Sequence, residues 1–522
     1  MKELIYHRHF LPALAKYAKQ IAVIDGDYQA TMQQHGDRVL RLSHALGAQL
    51  GLAKSDRFAV MAVNCHEFLE LYHAAFLGAG VINPLNLRLA GKELDYIVRD
   101  SGTEVVFVDS YFAGAMADAM SASGEKSPIR KTVLIGDGDG PHDLRYEDLI
   151  DAAVLEVPPE PEEDDTAVLM YTGGTTGLPK GVVVSQRAEM LNWYHVGMVS
   201  GFKSRELFLM QTPIFHAAAI GTVLAIPVTG GTTVILPMFD PEAGMDLIEK
   251  HQVTATTMVP TMVALMLNHP NFKPEKIRCL KKLIYGASPM PSALLDRVQD
   301  MFPDLELHQG YGMTESSSVI TWLGAEEHQE KRDNLRSVGR PLPGVELCIQ
   351  DADGNILPTG ERGEVCAKGG NYMTEYWNKP EATEEAFRDD WYHTGDAGYL
   401  DDEGYLYLVD RVKDMIVTGA ENVYSVEVEN AISTHEAVAQ VAVIGIPHDV
   451  WGEAVHAIVV CHEGATATEA DIIEHARASI AGYKVPKSVT FRSEPLPLSG
   501  ALKVLKRELR EPYWEGKDRR IG

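Results

Sequence analysis

Helical and strand patterns of hydrophobic residues alternate along the first 150 residues of the chain. Residues 92–99 carry apolar side chains at helical spacing, and the pattern stops at Gly102. A run of four apolar residues at 105–108 follows, as expected for a short buried strand. Because a helix, a glycine stop and an apolar strand form the repeat of a doubly wound layer, we expect an α/β unit here.

The pattern changes three times further along the chain. Residues 157–165 are acidic and rich in proline, which predicts a surface linker before a buried strand at 167–171. A second α/β unit is expected to extend to about residue 335. Short alternating strands separated by glycines predict a small β-rich unit at 337–411, and a compact α+β unit is expected after it.

Composition and charge narrow the class of protein. The chain has 522 residues, of which 45% are hydrophobic and 23% are charged, as in a soluble protein of several structural units. A net charge of −27 argues against nucleic acid or an anionic membrane surface as the main partner. From Lys484 onward there are ten Lys and Arg against five Asp and Glu, which fits either a solvated basic tail or an anion-facing surface.

Cysteines and hydrophobic stretches bear on the compartment. The five cysteines form no CxxC pair and no metal-like cluster, which is typical of free thiols in a reducing compartment. The N-terminus lacks the apolar region of a secretory signal. The most apolar stretch, Ala217–Val228, is too short to cross a membrane and predicts a buried helix. We expect a cytoplasmic protein with no membrane span.

A glycine-rich segment gives the sharpest chemical signal. Residues 171–181, with the sequence YTGGTTGLPKG, follow a predicted strand and combine glycines, threonines and Lys180. Glycines let backbone N–H groups approach an anion, hydroxyls add donors, and the lysine supplies a point charge, which suits a triphosphate. The spacing differs from that of the kinase and GTPase P-loop. The candidate phosphate-binding residues are Thr172, Gly173, Gly174, Thr175, Thr176, Gly177 and Lys180.

Further motifs follow this segment in order along the chain. They are GASP at 286–289, GYGMTE at 310–315, YHTGD at 392–396, DRVKD at 410–414, GAENVY at 419–424 and LPLSGALK at 496–503. Together with the glycine-rich segment, they resemble the motifs of the adenylate-forming superfamily of acyl-CoA synthetases, peptide-synthetase adenylation domains and luciferases. The resemblance covers roughly residues 10 to 510.

The resemblance implies a fold and a domain arrangement. It implies a large N-terminal domain, residues 1–412, made of two doubly wound α/β subdomains and a small β-barrel. A small mobile α+β domain, residues 413–522, is expected to follow and to carry the catalytic lysine. The superfamily rotates this domain between two half-reactions, and the hinge here is Lys413.

The resemblance also assigns roles to residues of the nucleotide site. Thr314 is expected to contact the α-phosphate, and Thr172 and Glu315 are the candidate Mg²⁺ ligands. Asp396 has only acceptor oxygens and suits ribose hydroxyls, while Arg411 offers a planar donor fork. The adenine turn, the purine-packing segment and the loop used in the second half-reaction supply Gly286, Ala287, Ser288, Gly310, Tyr311, Gly312, Gly419 and Tyr424.

Two further residues are assigned to catalysis. Lys503 matches the catalytic lysine, but Leu502 stands where the superfamily usually has glycine, and a glycine lies instead at Gly500. An aliphatic residue, Leu498, also stands where a basic residue is common. His216 matches a position beside the acyl pocket and near the substrate carboxylate, although on its own it would fit a packed core histidine.

We therefore expect an ATP-dependent, AMP-forming acid–CoA ligase that uses ATP, Mg²⁺ and coenzyme A. The small residues after His216 favour a medium- to long-chain fatty acid, and an aryl or phenylpropenoic acid is the alternative. Three other interpretations stay open: loading of a carrier protein, oxidation of the adenylate, and a non-catalytic nucleotide sensor. A serine-hydrolase role for Ser288 is disfavoured because the final glycine of the G-x-S-x-G elbow is missing. A monomer and a homodimer are both compatible with the sequence.

Overall fold

The computed structural model describes residues 3–122, 126–172, 178–201, 203–329, 333–411, 415–418, 421–448, 450–500 and 502–515. These residues form four β-sheets and the helices that pack on them. Two of the sheets are large, with eight and nine strands, and two have five strands each. The larger sheets lie in the N-terminal part of the chain, and one five-stranded sheet forms the smaller C-terminal part.

The elements up to Thr172 alternate as the pattern predicts. The strands are β1 (Ile21–Asp25), β2 (Tyr28–Thr31), β3 (Arg57–Met61), β4 (Val81–Pro84), β5 (Val105–Asp109), β6 (Lys131–Ile135), β7 (Leu144–Arg145) and β8 (Thr166–Thr172). The helices are α1 (His7–Tyr17), α2 (Met32–Ala48), α3 (His66–Phe76), α4 (Gly91–Ser101), α5 (Ser110–Ala122) and α6 (Tyr146–Asp151).

The next 150 residues continue the alternation. The strands are β9 (Lys180–Ser185), β10 (Leu207–Met210), β11 (Thr232–Ile235), β12 (Ala255–Met258), β13 (Lys282–Gly286), β14 (Glu306–Tyr311) and β15 (Thr321–Leu323). The helices are α7 (Gln186–Ser200), α8 (Ala217–Val228), α9 (Pro241–His251), α10 (Pro260–Leu267), α11 (Ser292–Met301) and α12 (Ala325–Gln329).

Strands dominate the following segment and helices return near the C-terminus. The strands are β16 (Arg340–Pro341), β17 (Glu346–Gln350), β18 (Gly363–Lys368), β19 (Glu375–Tyr376), β20 (Phe387–Arg388), β21 (Trp391–Leu400), β22 (Leu406–Arg411), β23 (Ile416–Thr418), β24 (Glu421–Val423), β25 (Val438–His448), β26 (Gly452–Cys461) and β27 (Ser488–Arg492). The helices are α13 (Pro380–Ala386), α14 (Ser425–Ser433), α15 (Glu469–Arg477) and α16 (Lys506–Trp514), and 3₁₀-helices span Pro274–Ile277, Thr314–Ser316 and Asp333–Arg336.

The two large sheets are interleaved in sequence. The eight-stranded sheet has the order β19-β9-β8-β4-β3-β5-β6-β7, and the nine-stranded sheet has the order β16-β15-β14-β13-β12-β10-β11-β1-β2. β1 and β2 therefore belong to the nine-stranded sheet, whereas β8 and β9 belong to the eight-stranded sheet. The expectation that the linker at 157–165 separates two α/β units is wrong, because strand pairing across hundreds of residues decides sheet membership.

The main core lies between the two large sheets. All residues from Glu67 to Phe76 of α3 are buried, and α8 is buried on most of its surface. Because α8 is apolar on nearly every face, it is stable only where protein surrounds it. Separate hydrophobic clusters cover the outer faces, under α4 and α5 on one sheet and under α9, α10 and α11 on the other.

Several expected elements appear at the expected places. The predicted helix at 92–99 lies within α4, which ends at Gly102 in the left-handed conformation with φ +63°. The predicted β-rich unit is a five-stranded antiparallel sheet of β17, β18, β20, β21 and β22. Ala217–Val228 is a helix, as predicted. Within the described ranges, no helix combines the length and the apolar character that a membrane crossing requires.

One carboxyl group lies in the interior without a compensating charge. Glu189 of α7 is 1% exposed, and its Oε1 atom has no hydrogen-bond partner among the described residues. Burial raises the pKa of Glu189 to about 8, because the ionised form loses its hydration. Glu189 is therefore a neutral, protonated acid in the folded protein at neutral pH.

The raised pKa of Glu189 predicts a loss of stability as the pH rises from about 5 to about 8. The unfolded carboxyl ionises near 4.5 and the folded one near 8, so the unfolded state binds fewer protons between these values. The unfolding free energy then falls as pH rises, by up to about 1.4 kcal/mol per pH unit. Glu189→Gln removes this dependence, so the variant should gain stability relative to wild type between pH 5 and pH 8 in denaturant titrations. The exposed Glu403→Gln is the control, and a pH-independent difference for Glu189→Gln would contradict the assignment.

Candidate active site

A large cleft opens at the carboxyl ends of β12, β13 and β14. Its volume is about 2830 Å³, and residues of both the N-terminal and C-terminal parts line it. The carboxyl ends of parallel strands are the usual place for ligands in open α/β sheets. The predicted residues described in this cleft are Thr172, Lys180, His216, Gly286, Ala287, Ser288, Gly310, Tyr311, Gly312, Thr314, Glu315, Asp396 and Lys503.

The floor of the cleft is formed by closely approaching backbones. A Cβ atom added to Gly286 would lie 2.2 Å from the carbonyl oxygen of Gly310, its partner on the adjacent strand. A Cβ atom on Gly312 would lie 2.1 Å from the carbonyl oxygen of Ser318. Ala287, directly after β13, has a φ of +66°. Glycines are therefore required at this surface, because a Cβ atom at either position would clash with the neighbouring backbone.

An acidic side chain is held at the edge of this surface. The Tyr311 hydroxyl donates to Asp396 Oδ2 at 2.7 Å, and the Asp396 backbone N–H donates to Thr394 Oγ1 at 3.1 Å. Burial and the Asp396 charge raise the pKa of Tyr311, so its hydroxyl stays protonated as a donor. The sequence interpretation placed Tyr311 against a purine. The structure gives its hydroxyl a second task, which is to orient the carboxylate of Asp396.

The two ends of the phosphate-loop segment face the same cleft. Thr172 ends β8 and pairs with Lys180 at the start of antiparallel β9. The Lys180 ammonium lies 4.7 Å from the centre of the Tyr376 ring. The Tyr376 hydroxyl donates to Glu315 Oε1 at 2.8 Å. The Lys180 ammonium, the Tyr376 ring and the Glu315 carboxylate therefore form one row of neighbouring groups.

This row suits a divalent cation accompanied by phosphates. Mg²⁺ prefers hard oxygen ligands and usually takes one or two protein oxygens together with phosphate oxygens. Glu315 offers a carboxylate fixed at one oxygen by Tyr376, and Thr172 offers a hydroxyl at the end of its strand. The donor set therefore fits Mg²⁺ bound to a nucleotide.

His216 is the N-cap of α8 at the wall of the cleft. Its Nδ1 atom accepts a hydrogen bond from the Ala218 backbone N–H at 3.2 Å, so the ring proton of the neutral form is on Nε2. Burial, with the charge of Lys503 second, lowers the pKa of His216 to about 3. The imidazole is neutral at physiological pH and is a hydrogen-bond donor through Nε2.

Lys503 reaches the cleft from a hairpin of the C-terminal part. Leu498 and Val504 form an antiparallel bridge, and the Ser499 backbone N–H donates to the Lys503 carbonyl oxygen at 2.7 Å. The Arg88 guanidinium of the N-terminal part donates to the carbonyl oxygen of Leu498. Lys503 and His216 line the same cleft, and the Lys503 charge contributes to the lowered pKa of His216.

The other predicted site residues are placed differently. Tyr424 is the N-cap of α14, and its ring centre lies 5.3 Å from the Arg362 guanidinium; Tyr424 does not itself line the cleft. The backbone of Arg411 pairs with Asp396 across β21 and β22. The candidates that lie outside the described residues are Gly173, Gly174, Thr175, Thr176, Gly177, Lys413 and Gly419.

The basic C-terminal segment is partly neutralised within its own domain. Lys484 donates to both carboxylate oxygens of Glu427, and Lys506 forms an ion pair with Glu429 at 2.7 Å. Lys487 lies 5.5 Å from the ring centre of Trp451, a residue that is 40% exposed. Of these lysines, Lys487 offers a cation beside an exposed aromatic face.

Sequence patterns did not identify three contributors to the site. Tyr376 is on β19, an edge strand that pairs with β9, and it is distant in sequence from both Lys180 and Glu315. Asn86 and Arg88 follow β4 and face the C-terminal hairpin. No local motif marks these residues, because their role depends on chain segments that meet only in the folded protein.

Comparison with known proteins identifies the family. Residues 10–377 match the AMP-binding enzyme family, and residues 427–503 match the AMP-binding enzyme C-terminal domain. The chain belongs to the AMP-binding enzyme family. The match to the larger domain covers most of the chain, and the second match includes Lys503.

Similar proteins include ligases for different acids. The chain is 36% identical to feruloyl-CoA synthase of Amycolatopsis sp over 94% of this chain and 96% of the relative. It is 37% identical to the long-chain-fatty-acid–CoA ligase FadD13 of Mycobacterium tuberculosis over 93% and 94%. The solved structure of O-succinylbenzoate coenzyme A synthetase (MenE) from Bacillus subtilis, in complex with ATP and magnesium ion, is 29% identical. It aligns with a TM-score of 0.82 over 96% of this chain and 98% of that chain.

These matches bear directly on the predictions made from the motifs. The predicted superfamily and the mixed α/β fold, with a large N-terminal domain and a smaller C-terminal domain, are confirmed. The predicted enzyme class, an ATP-dependent ligase of the AMP-binding family, is confirmed as well.

The position of Glu315 predicts a specific effect on metal dependence. If Glu315 is the Mg²⁺ ligand that the motif predicts, Glu315→Ala removes that carboxylate, and the Mg²⁺ concentration needed for ATP binding should rise at least about tenfold. Titration calorimetry with ATP at a series of Mg²⁺ concentrations measures this change. The exposed neighbour variant Glu375→Ala is the control. An unchanged Mg²⁺ dependence in Glu315→Ala would exclude Glu315 as a metal ligand.

Proposed function

We propose that the protein is an acid–CoA ligase. It would activate a carboxylic acid with ATP to form acyl-AMP and pyrophosphate, and then transfer the acyl group to coenzyme A. The acid that we favour is a medium- to long-chain fatty acid. The observation that best supports this function is the meeting of Lys503 and neutral His216 in the cleft that also contains Glu315 and Asp396.

The first half-reaction joins two anions, so charge must be balanced. A carboxylate oxygen attacks the α-phosphorus, and the bond to the bridging oxygen breaks as pyrophosphate leaves. Lys503 would offset the negative charge where carboxylate and α-phosphate meet, and the Nε2–H of His216 would donate to the carboxylate. Protonation of His216 at Nδ1 would break the hydrogen bond from the Ala218 N–H, so the neutral ring is the form that keeps this bond and donates through Nε2. When bound, Mg²⁺ would neutralise charge on the phosphate oxygens beside Glu315.

The nucleotide would be oriented by the cleft floor and its rim. The surface at Gly286 and Gly312 would receive the adenine ring, and Asp396, fixed by Tyr311, would accept hydrogen bonds from ribose hydroxyls. Lys180 would attract the outer phosphates. These contacts would hold the α-phosphorus in line with the acid, and such positioning is a large part of phosphoryl-transfer catalysis.

The second half-reaction needs a different approach to the same acyl group. A CoA thiolate would attack the carbonyl carbon of acyl-AMP, and AMP would leave as the carbon–oxygen bond breaks. We propose that this step uses a second arrangement of a C-terminal domain spanning 413–522, rotated at Lys413, which brings the loop at Gly419 to the cleft. The phosphates of CoA would meet the basic surface after Lys484, where Lys487 supplies a cation beside Trp451, whose ring stacks on His448.

Two observations support the proposed domain boundary at 412/413. The antiparallel sheet of β17, β18, β20, β21 and β22 ends with β22 at Arg411, and the C-terminal sheet starts with β23 at Ile416. The two family matches also fall on either side of this boundary, with one ending at 377 and the other beginning at 427.

Lys503 and Gly419 are assigned to different half-reactions, so substitutions at these two residues should each impair a different half-reaction. Lys503→Ala should slow single-turnover pyrophosphate release by roughly a hundredfold or more, because one preorganised charge at the reacting centre is lost. The same variant should convert supplied acyl-AMP and CoA at near the wild-type rate. Gly419→Leu should keep forming acyl-AMP and fail in thioester formation.

Matched measurements make this test decisive. The exposed Lys250→Ala, which also removes one lysine, should leave both half-reactions unchanged. If Lys503→Ala and Gly419→Leu lose the same half-reaction, the two-arrangement mechanism is wrong. Pyrophosphate release that is insensitive to CoA but requires a carrier protein would instead support the carrier-loading alternative.

The acyl side of the cleft is apolar and open. Ala217, Ala218 and Gly221 of α8 line it, and Trp193 and Val196 of α7 line it as well. A Cβ atom added to Gly221 would have no heavy atom within 4 Å among the described residues. The cleft therefore extends along α8 beyond His216, as a straight-chain acid requires.

The open space at Gly221 predicts control of chain length. For wild type, kcat/KM should rise as a straight-chain acid lengthens from short to medium, since each buried CH₂ contributes about 0.8 kcal/mol. Gly221→Leu should lower kcat/KM for dodecanoate at least about tenfold, because several methylenes lose their space, and should change that for butyrate little. Gly197→Leu is the matched control, because an added Cβ there is also unhindered but Gly197 does not line the cleft. A wild-type preference for benzoate or cinnamate over every straight-chain acid would favour the aryl alternative.

A further inference from the structure

The hairpin that ends in Lys503 has an unusual residue at its tightest point. The Leu502 backbone N–H donates to the Ser499 carbonyl oxygen at 2.9 Å, and the Ser499 N–H donates to the Lys503 carbonyl oxygen at 2.7 Å. This pattern is that of a three-residue hairpin loop whose last residue has a left-handed backbone. Leu502 is that residue, with a φ of +58°. Glycine is favoured at such positions, since a side chain with a Cβ atom is strained there.

The leucine side chain makes a contact that glycine could not make. Leu502 packs against the hydrophobic cluster between the nine-stranded sheet and α9, α10 and α11. Ala287 and Met290, which lie in and directly after the GASP turn, pack on the same cluster. Leu502 does not itself line the cleft, whereas the next residue, Lys503, does. The contact therefore joins the C-terminal hairpin to the N-terminal domain without contacting the reacting atoms.

The hairpin is held on its other side by polar contacts. Arg88 donates to the Leu498 carbonyl oxygen, and Gly500 approaches Asn86 so closely that an added Cβ atom would lie 2.2 Å from its Oδ1 atom. Asn86 and Arg88 follow β4 of the eight-stranded sheet, while the cluster under Leu502 belongs to the nine-stranded sheet. The hairpin is thus held between the two large sheets, and Leu502 supplies the apolar half of the contact.

We propose that Leu502 is a positioning residue that docks the hairpin on the N-terminal domain and so holds Lys503 in the cleft. The proposal rests on the proposed function, because it concerns the arrangement used for acyl-AMP formation. The apolar contact of the Leu502 side chain stabilises that arrangement and offsets the strain of the left-handed Leu502 backbone. The contact has to break before the C-terminal domain can rotate for thioester formation, so it favours the first half-reaction over the second.

A series of substitutions separates the side-chain contact from the backbone strain. Leu502→Met keeps an apolar side chain, Leu502→Gly removes both the contact and the strain, and Leu502→Ala removes the contact and keeps the strain. Single-turnover pyrophosphate release should follow the order Leu and Met, then Gly, then Ala. Leu502→Gly should lose about tenfold in the maximal rate of acyl-AMP formation. KM for ATP and for the acid should change little, because the residues that line the cleft are unaltered.

Two further measurements distinguish positioning from a general structural role. Thioester formation from supplied acyl-AMP and CoA should be unchanged or faster in Leu502→Ala and Leu502→Gly. Hydrogen exchange of the amides in residues 498–504 should increase in Leu502→Ala in the absence of substrates. Phe491→Ala, which removes an apolar side chain that is 39% exposed on β27, is the control and should leave all three measurements unchanged.

Three results would overturn the proposal. They are faster acyl-AMP formation in Leu502→Gly than in wild type, an equal loss of both half-reactions in Leu502→Ala, and unchanged hydrogen exchange in residues 498–504 of Leu502→Ala. A wild-type protein that releases no pyrophosphate with any acid would overturn the proposed function itself. Hydrogen exchange does not depend on activity, so the two failures can be told apart.

Discussion

Attraction between a few cations and a highly charged substrate is the interaction on which the arrangement of the site depends. The chain has a net charge of −27, so a nucleotide triphosphate is repelled by most of the surface. Lys180 and Lys503 provide positive charge within one cleft, although they come from different parts of the chain. The acyl wall beside them is apolar and contains a neutral imidazole at His216. In the proposed function, this arrangement concentrates positive charge at the phosphates and keeps it away from the hydrocarbon part of the acid.

The same separation explains the hydrogen-bonded tyrosines around the cleft. Tyr311 and Tyr376 each donate to a carboxylate, Asp396 and Glu315 respectively. Burial raises the pKa of both phenols, so they remain donors and add no charge to the site. These hydrogen bonds fix the orientation of both carboxylates. The two neutral tyrosine hydroxyls therefore orient Asp396 and Glu315 without neutralising their charge, as a cationic side chain would do.

Local patterns in the sequence predicted much of this site and little of its assembly. Each of three motifs, the glycine-rich segment, GYGMTE and YHTGD, places its functional groups within a few residues of sequence. The described candidate residues of all three motifs line one cleft. α4 was predicted from apolar periodicity and a glycine stop, and α8 from a short continuous apolar stretch, and both are local properties of the sequence. Tyr376 was not predicted, because its partners lie about 60 and 200 residues away in sequence. The pairing of β1 with β11 was missed for the same reason, since strand partners are chosen by packing across the whole chain.

The exchange of strands between the two large sheets has a consequence for biosynthesis. β1 pairs in parallel with β11, which is made about 200 residues later, and β19, the edge strand of the other sheet, is made later still, at Glu375–Tyr376. A nascent chain therefore cannot complete either sheet until most of the N-terminal domain has been synthesised. Contacts of such large sequence separation slow folding and leave strand edges exposed in the meantime. The two sheets are consequently a single folding unit, and the C-terminal domain, with its own sheet and core, is made only after that unit is complete.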